Sequence, residues 1–352
     1  MGMPPLVRGI LAKNVKMYMM RSLKNKIQMW LPALLLCMAM TACDVTEDET
    51  NCMADMQLTF RFTKDGSDQF GVEVPSLSVF VFDAQNRFVG RWDENDNSKF
   101  GSNYTMTIPL QPGAYTFVVW GGLKDSHYYI CQYGHAYGAS VEPVANQTSL
   151  SELLVRLQYD TRNAYTTQKH FVDYVPGAQF HGNTGQLTLL AQANNTVTVD
   201  LRKNNKKINL KIIGFPEPET KANPYTQMDI TLNAPNGSDD FWNDPELGGA
   251  TFCYVQHGAT LSAPDTQSST FYTMRMVFNN GHRLVIYNTE TGREFYSADL
   301  LEDYIRKVPA YFSQDAVDAE DEFDITIDVR SNLGVQVSVN GWNVGISGHI
   351  LW

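Results

Sequence analysis

Cysteine is scarce in this chain, and the residue patterns that usually carry catalysis are missing. Only five of the 352 residues are cysteines, and no C-x-x-C pair occurs among them. None of the seven histidines lies in a metal-binding spacing such as H-E-x-x-H. The phosphate-binding loop, the dinucleotide-binding glycine pattern and the G-x-S-x-G turn are absent from the sequence as well. We therefore predict no metal site, no cofactor and no enzymatic activity.

Basic residues are too few for a nucleic-acid partner. The chain carries 38 acidic and 27 basic residues, and six of the basic ones lie within the first 42 positions. The remaining 310 residues thus hold 21 basic against 38 acidic residues, a net charge of −17. Because binding to phosphate backbones relies on clustered lysine and arginine, we expect no nucleic-acid partner. A length of about 310 residues predicts two domains of ordinary size.

No apolar run is long enough for an ordinary transmembrane helix. The longest, Met29 to Met40, is apolar except for one proline. A basic segment without acidic residues precedes it and small residues follow it, which is the order of a secretory signal. The basic part is unusually long, so we expect translation to begin later, at Met17, Met19 or Met20. The six basic residues of this segment are Arg8, Lys13, Lys16, Arg21, Lys24 and Lys26.

The signal ends in Met40-Thr41-Ala42-Cys43, which resembles the lipobox of bacterial lipoproteins. In a lipobox, the cysteine thiol is acylated with diacylglycerol, and cleavage exposes the cysteine amine for a further acyl chain. Each buried CH₂ contributes about 0.8 kcal/mol, and two or more chains anchor a protein stably. We therefore predict cleavage before Cys43 and a lipid anchor on this residue. The alternative is an ordinary secreted protein with an unrelated cysteine at the junction.

The segment after the lipid site is acidic and carries a second cysteine. The acidic residues fit a solvated tether, and they also fit a signal for export to the cell surface. Because a secretory compartment favours one disulfide with one thiol left over, we predict a bond between Cys52 and Cys131. Cys253 is then expected to be a buried, inert thiol. The acidic residues are Asp44, Glu47, Asp48 and Glu49.

Alternation of apolar and polar residues recurs beyond the tether, which indicates half-buried strands. The run from Gln57 to Phe62 places Leu58, Phe60 and Phe62 on one face, whereas Ser76 to Asp83 is more continuously apolar. Further strands of the first half are predicted at Tyr104 to Pro109, Ala114 to Trp120, Gln186 to Leu190 and Val197 to Leu201.

A basic, polar segment from Arg202 to Lys207 interrupts the alternation and predicts a domain boundary. The predicted organisation is a signal peptide over 1–42, an acidic tether over 43–54, and β-sandwiches over 55–203 and 204–352. Strands this short, with few helices between them, favour two tandem β-sandwiches and an all-β fold class. The one helix is predicted at Leu300 to Val308, capped by Ser297 or Asp299. The later strands are predicted at Ile208 to Ile213, Met228 to Leu232, Phe271 to Phe278, Arg283 to Asn288, Arg293 to Tyr296, Phe323 to Val329, Gly334 to Val339 and Trp342 to Ile346.

Two sequence features resemble ligand-binding sites, but each also has a simpler explanation. The loop from Asp93 to Ser98 begins like a calcium loop, but it lacks the glycine at the sixth position, and Tyr104 stands where the bidentate glutamate belongs. We therefore expect a solvated loop. Four tyrosines form a cluster that fits either a carbohydrate-stacking surface or the packing of a β-sandwich. They are Tyr128, Tyr129, Tyr133 and Tyr137.

Taken in order, the runs resemble the fimbrial anchor-subunit family of the Bacteroidales, lipoproteins at the base of donor-strand (type V) pili. The more specific segments are VPSLSVFVFDAQNRFVG (Val74 to Gly90) and YTMTIPLQPGAYTFVVWGGL (Tyr104 to Leu123). The resemblance covers nearly the whole mature chain, but the region from Asn233 to Thr270 resembles nothing in the family. Weaker matches are the lipobox with its linker (Cys43 to Cys52), FHG (Phe180 to Gly182) leading through Val197 to Leu201, and the Leu300 to Val308 helix with VSVNGW (Val337 to Trp342).

The resemblance implies two transthyretin-like β-sandwich domains and a structural task, which is to tether a fibre to the outer membrane and limit its length. It also implies fimbrial shaft subunits as partners, joined by β-augmentation, in which an extended segment of one subunit completes the sheet of another. Shaft subunits of such pili are thought to lose an N-terminal strand and to accept a neighbour's C-terminal strand. An anchor lipidated at Cys43 is instead expected to keep its own strand, near Met56 to Phe62, in its groove.

The C-terminal segment from Val335 to Ile346 leaves two alternatives open. It could be donated to a shaft subunit as a strand, or it could fold on its own domain as a hairpin, because Asn340-Gly341 is a favoured two-residue turn. Two other functions also remain open: a tip or adhesive subunit that binds a host protein or glycan, and a surface glycan-binding lipoprotein. The apolar residues that carry the alternation are Val335, Val337, Val339, Trp342, Val344 and Ile346.

Overall fold

The computed structural model describes residues 53–164, 167–191, 193–214, 228–246, 248–263, 265–287, 292–330 and 334–346. These residues are mostly β-strands, and they form two β-sandwiches in tandem, which confirms the predicted fold class. The strands of the first half are β1 (Ala54–Arg61), β2 (Thr63–Lys64), β3 (Ser67–Asp68), β4 (Leu77–Asp83), β5 (Phe88–Glu94), β6 (Thr105–Leu110), β7 (Gly113–Gly121), β8 (Tyr128–Gln132), β9 (Leu153–Leu157), β10 (Asp160–Ala164), β11 (Thr167–Val172), β12 (Phe180–Leu189), β13 (Asn195–Asp200) and β14 (Arg202–Lys203).

The first sandwich packs a three-stranded sheet against a five-stranded sheet. The strand orders are β13-β1-β6 and β14-β12-β7-β4-β5. Along β1 the side chains alternate between buried and exposed, so that Met56, Leu58 and Phe60 point into the core between the sheets. Val79 of β4 and Val119 of β7 meet them from the other sheet. A single helical turn, α1 (Phe70–Glu73), connects this sandwich's early strands, with Phe70 in the same core.

The five-stranded sheet is covered on both faces, which explains why β4 is continuously apolar. Val79 and Val81 face the first sandwich core, whereas Phe80 and Phe82 face a second core. A small sheet that contains β8 and β9 lies on that second side and contributes Ile130 to it. A strand buried on both faces has no polar positions to alternate with.

The second sandwich is built from two six-stranded sheets. Leu210, Ile212, Phe271 and Ile325 belong to the large core cluster that also includes residues of the facing sheet, such as Leu284. The strand orders are β10-β11-β18-β16-β21-β22 and β19-β20-β15-β23-β24-β25. The strands are β15 (Lys206–Ile213), β16 (Asp229–Ala234), β17 (Ser238–Asp240), β18 (Phe252–Val255), β19 (His257–Ala263), β20 (Thr266–Thr273), β21 (Arg283–Tyr287), β22 (Glu294–Asp299), β23 (Glu322–Asp328), β24 (Gln336–Val339) and β25 (Trp342–Ile346).

Strands cross the predicted boundary at residue 203 in both directions. β11 pairs in parallel with β18, so that a hairpin from the first half extends a sheet of the second half. β17 of the second half pairs with β9 and completes the small sheet that covers the first sandwich. Alternation along a strand does not reveal its pairing partner. The sequence pattern therefore does not predict that strands of one half join sheets of the other half. The boundary itself falls between β14 and β15 and stays a prediction.

The late helical segment has a different shape from the one predicted. Leu300–Tyr304 forms a π-helical turn and Ile305–Lys307 a 3₁₀ turn, so the segment is not a regular α-helix. Asp299 caps it as expected, because its carboxylate accepts hydrogen bonds from two backbone N–H groups, those of Leu301 and Glu302. A short α-helix, α2 (Gln314–Ala319), follows and was not predicted. Six residues are too few for a clear helical pattern in the sequence.

His282 lies fully buried beside this helical segment. Its backbone carbonyl accepts from the Leu300 N–H at 2.8 Å, and its backbone N–H donates to Asp299 at 3.2 Å. The side chain is 0% exposed, and neither ring nitrogen has a hydrogen-bond partner among the described residues. Burial lowers the pKa of His282 to about 4, because the apolar surroundings disfavour the charged imidazolium.

We expect acid to destabilise the protein partly through His282. Between pH 6.5 and pH 4 the unfolded chain binds a proton that the folded His282 does not, so stability falls as the pH falls through this window. At about 1.4 kcal/mol per pH unit, the loss is roughly 3 kcal/mol. The free energy of unfolding is measured with urea at pH 7.5 and near pH 4. Its decrease between the two pH values should be roughly 3 kcal/mol smaller in His282→Leu than in the unmodified protein. Equal losses in the two proteins would contradict the assignment.

Candidate docking edges and ligand groove

The N-terminal strand is held in the middle of its sheet. β1 pairs in parallel with β13 and antiparallel with β6, and Leu58 lies opposite Val197 on one side and Met106 on the other. The strand predicted near Met56 to Phe62 therefore lies within its own sheet. Because β1 has ladder partners on both sides, it offers no backbone edge to another polypeptide.

The C-terminal segment forms the hairpin rather than a free extended strand. β24 pairs with β23 on one side and with β25 on the other. Asn340 and Gly341 connect β24 and β25 with φ angles of 47° and 80°, and this left-handed conformation is the one that an Asn-Gly turn supplies. Val335, Val337 and Val339 are buried in their own sandwich.

β25 is the outermost strand of its sheet. Trp342 is 54% exposed and Val344 is half-buried against the core, while Ile346 ends the strand. The strand carries no charged residue and no proline, although its pairing with β24 has one irregularity in register. Proteins commonly protect sheet edges with charges, prolines or bulges.

Three other edge strands, β5, β22 and β19, carry such protection. β5 carries Arg91 and Asp93, and β22 carries Glu294 and Asp299. β19, at the opposite edge of the β25 sheet, has two irregularities in its register with β20. β25 therefore carries fewer features that oppose pairing with an added strand than β5, β19 or β22 do.

The predicted lipid site and disulfide are only partly within the described residues. Cys43 and Cys52 lie outside them. Cys131 is a buried free thiol in β8 that contacts the backbone carbonyl of Gln132 at 3.4 Å, and burial raises its pKa. β8 lies on the face of the five-stranded sheet opposite β1. The pairing of Cys52 with Cys131 stays a prediction, and Cys253 is buried as expected.

The four clustered tyrosines do not form a stacking surface. Tyr128 and Tyr129 are buried, because the sheet that contains β8 is covered on both faces. The Tyr137 ring packs 4.1 Å from the guanidinium of the buried Arg156. Of the four, only Tyr133 is largely exposed. The interpretation of this cluster as a carbohydrate platform is therefore wrong, and packing explains it.

Three acidic side chains in the second half of the chain have different surroundings. Asp321 accepts from Lys64 at 2.7 Å and from Lys203 at 3.2 Å. Asp239 is buried, and burial raises its pKa to about 8, whereas its neighbour Asp240 accepts backbone N–H groups of the following turn. Among the described residues, no group of three or more His, Cys, Asp or Glu side chains is arranged to hold a metal ion.

A groove of about 700 Å³ lies on the outer face of the sheet that contains β21. Leu284 and Ile286 point into the core, so alternation places Arg283, Val285 and Tyr287 on the outer face. The six residues that define this β21 groove are His170, Asn280, Arg283, Val285, Tyr287 and Glu294. No sequence motif predicts this groove, because its residues come from separate strands and loops.

Solved structures establish the fold through several relatives. The fimbrial anchor protein Mfa2 from Porphyromonas gingivalis is 20% identical, with a TM-score of 0.65, over 84% of this chain and 100% of that one. A Bacteroides thetaiotaomicron protein described as a candidate polysaccharide-binding protein is 19% identical, with a TM-score of 0.67, over 85% and 98% of the two chains. A Bacteroides ovatus protein described as a candidate adhesin is 20% identical, with a TM-score of 0.64, over 83% and 95%.

Sequence comparison identifies the family. The comparison with curated protein sequences gives no match. Among the described residues, none of the helices has the length and apolar character that crossing a membrane requires. The sequence model of the fimbrillin-A associated anchor proteins matches residues 48–347, which is most of the chain. This chain therefore belongs to the family of fimbrillin-A associated anchor proteins Mfa1 and Mfa2.

Proposed function

We propose that this protein is a lipid-anchored structural subunit that fastens a fimbria to the outer membrane and limits its length. Membership in a family of fimbrial anchor proteins supports a role in a fimbria at the cell surface. The observation that carries the proposal is the position of β1 between β6 and β13. A first strand built into its own sheet supports retention of the N-terminus, and with it of a lipid attached ahead of the strand.

The membrane end of the proposed anchor is short. Ala54, the first residue of β1, follows Cys43 by eleven positions. A lipid on Cys43 is thus connected through a short acidic tether directly to a strand in the first core. Two or more acyl chains make such an attachment stable, since each buried CH₂ contributes about 0.8 kcal/mol.

The fibre end of the proposed anchor is the β25 edge. An extended segment of a shaft subunit would pair with β25 through backbone hydrogen bonds, and side chains such as Trp342 and Val344 would give specificity. A shaft subunit joined here cannot be followed by another at the same edge, and this would limit the fibre to growth from one side. In this proposal the hairpin accepts a strand and does not leave its own domain.

A lysine on the β25 edge should weaken attachment of the shaft. In Asn343→Lys, the added charge lies on the exposed outermost strand and opposes pairing. We expect the detergent-solubilised protein to recover at least about fivefold less shaft subunit in a pull-down, a loss of about 1 kcal/mol. The matched control is Gln336→Lys on β24, which is exposed but has strands on both sides. Equal losses of shaft subunit in the two variants, or no loss in either, would show that the shaft does not attach at the β25 edge.

Adhesion is the second candidate function. In that case the protein is a tip or adhesive subunit, or a glycan-binding lipoprotein, and the β21 groove is the observation that favours it. The two functions differ in the mature protein, because an anchor keeps Cys43 with its lipid in the assembled fibre. Mass spectrometry of the N-terminal peptide from purified fimbriae distinguishes them.

A further inference from the structure

The β21 groove lies over strands whose backbones are fully engaged. β16 lies between β18 and β21, and β21 lies between β16 and β22. Their backbone N–H and C=O groups therefore take part in ladders on both sides and cannot pair with an added peptide strand. A ligand in the groove has to be recognised by side chains.

The charged side chains of the groove neutralise each other. Arg283 Nη2 donates to Glu294 Oε1 at 2.7 Å and to Ser297 Oγ at 3.0 Å. Ser297 Oγ in turn donates to the same Glu294 oxygen at 2.5 Å. The guanidinium keeps further N–H donors and the carboxylate keeps further lone pairs, because each group has more hydrogen-bonding capacity than these contacts use. The groove thus offers donors and acceptors without an uncompensated charge.

Two uncharged polar groups add to this set. The Asn280 Nδ2 atom is buried and has no hydrogen-bond acceptor among the described residues, so an acceptor on a ligand would satisfy it. Burial lowers the pKa of His170, which keeps its imidazole neutral near pH 7 with one donor and one acceptor nitrogen. Groups that both donate and accept are suited to hydroxyl groups.

The apolar surface of the groove lies at Tyr287. Val285 is on the same face of the sheet but only 2% exposed, whereas the half-buried Tyr287 presents an aromatic ring at one end. Positions 283 and 287 are separated by about 13 Å along an extended strand. An aromatic ring beside neutral polar groups is complementary to a flat ring that carries hydroxyl groups at its periphery. A volume of about 700 Å³ is within the usual range of ligand sites.

We propose that the β21 groove binds a neutral oligosaccharide. Anionic ligands are disfavoured because Glu294 already neutralises Arg283, and extended peptides are disfavoured because the strand backbones are engaged. Sugar hydroxyls would bond to Arg283, Glu294 and Asn280, and an apolar ring face would pack on Tyr287. This inference deepens the second candidate function, adhesion, and it does not depend on the anchoring function, because the site involves neither Cys43 nor β25.

The test measures oligosaccharide binding to the full-length protein in a detergent without a sugar head group. Maltohexaose, cellohexaose, mannohexaose and chitohexaose are titrated in a calorimeter. At least one is expected to bind, and Arg283→Ala and Asn280→Ala should each weaken its binding about tenfold, the effect of one hydrogen bond to a charged or buried group. Lys211→Ala, on the other sheet, is the control and should leave the affinity unchanged. Binding should also be insensitive to salt, because no net charge is involved.

Three outcomes would overturn the proposal: no binding of any of the four probes, binding that both groove variants leave intact, or binding that falls steeply with salt. The melting temperature of each variant is measured alongside. If Arg283→Ala unfolds because Glu294 loses its partner, Asn280→Ala decides, since that side chain makes no hydrogen bond that its removal would break among the described residues. Failure of this test leaves the pull-down through β25 unaffected, so the two proposals can fail separately.

Discussion

Asp318→Ala is expected to lower the free energy of unfolding by about 3–5 kcal/mol, more than most single substitutions. The Asp318 side chain in α2 is 2% exposed. Its two oxygens accept from Arg275 Nε and Nη2, both at 2.9 Å, and one of them also accepts from Arg202. Arg275 is itself buried, so removal of the carboxylate leaves its charge without its main partner.

The magnitude of this loss follows from the asymmetry of buried ion pairs. An intact pair contributes little net stability because both groups lose hydration, but breaking the pair leaves one charge desolvated and uncompensated. Arg202 lies in β14 of the first half, whereas Arg275 lies beyond β20 in the second half. Asp318 therefore holds together groups from both halves of the chain, and its loss should also loosen the contact between them.

The control for Asp318 is Asp315 in the same helix. The Asp315 side chain is 88% exposed and contacts Arg202 at 3.2 Å, so Asp315→Ala should change the free energy of unfolding by no more than about 1 kcal/mol. Denaturant unfolding of the two variants beside the unmodified protein measures the difference. Similar losses at positions 315 and 318 would show that burial of the Asp318 pair does not matter.

Cys43→Ser is expected to abolish attachment to the outer membrane while the protein stays folded. This expectation follows from the proposed lipid anchor, because serine lacks the thiol that carries the acyl chains and membrane affinity falls with each CH₂ lost. Stability should change by less than about 0.5 kcal/mol, since β1 begins only at Ala54. Fractionation should place nearly all of the variant outside the outer membrane, and fimbriae should appear in the culture medium.

The matched control is the neighbouring cysteine of the tether. Cys52→Ser removes a thiol from the same acidic segment, and with it the predicted bond to Cys131, but it leaves Cys43 and the residues before it unchanged. It should therefore remain in the outer-membrane fraction with its fimbriae attached. If both variants were retained in that fraction to the same extent, the lipid would not be the anchor. This result would refute the proposed function.

Many strands were predictable from local alternation. β25 has the predicted bounds, and β1, β4, β7 and β15 lie within a few residues of theirs. The turn at Asn340-Gly341 was predictable because an Asn-Gly pair favours the left-handed backbone of a two-residue turn. The run predicted from Phe271 to Phe278 was wrong in its second half, since β20 ends at Thr273.

Tertiary contacts decided which patterns had functional meaning. Tyr128 and Tyr129 are buried because a second layer covers their sheet. A local sequence pattern does not predict this covering layer. The parallel pairing of β11 with β18, and of β15 with β23, joins segments that are far apart in sequence. Pairing of this kind depends on the whole arrangement of strands and not on the strand's own residues.

Local sequence patterns were enough to predict the alternating strands, the Asn-Gly turn and the motifs of the family, and the signal, the lipobox and the acidic tether stay predictions of the same kind. The central position of β1, the edge position of β25 and the contact of Asp318 with arginines from both halves follow from the folded arrangement alone. It also assembled the β21 groove from residues between positions 170 and 294. The physical reason is that alternation fixes which face a side chain takes, whereas partners, edges and grooves arise from contacts between distant segments.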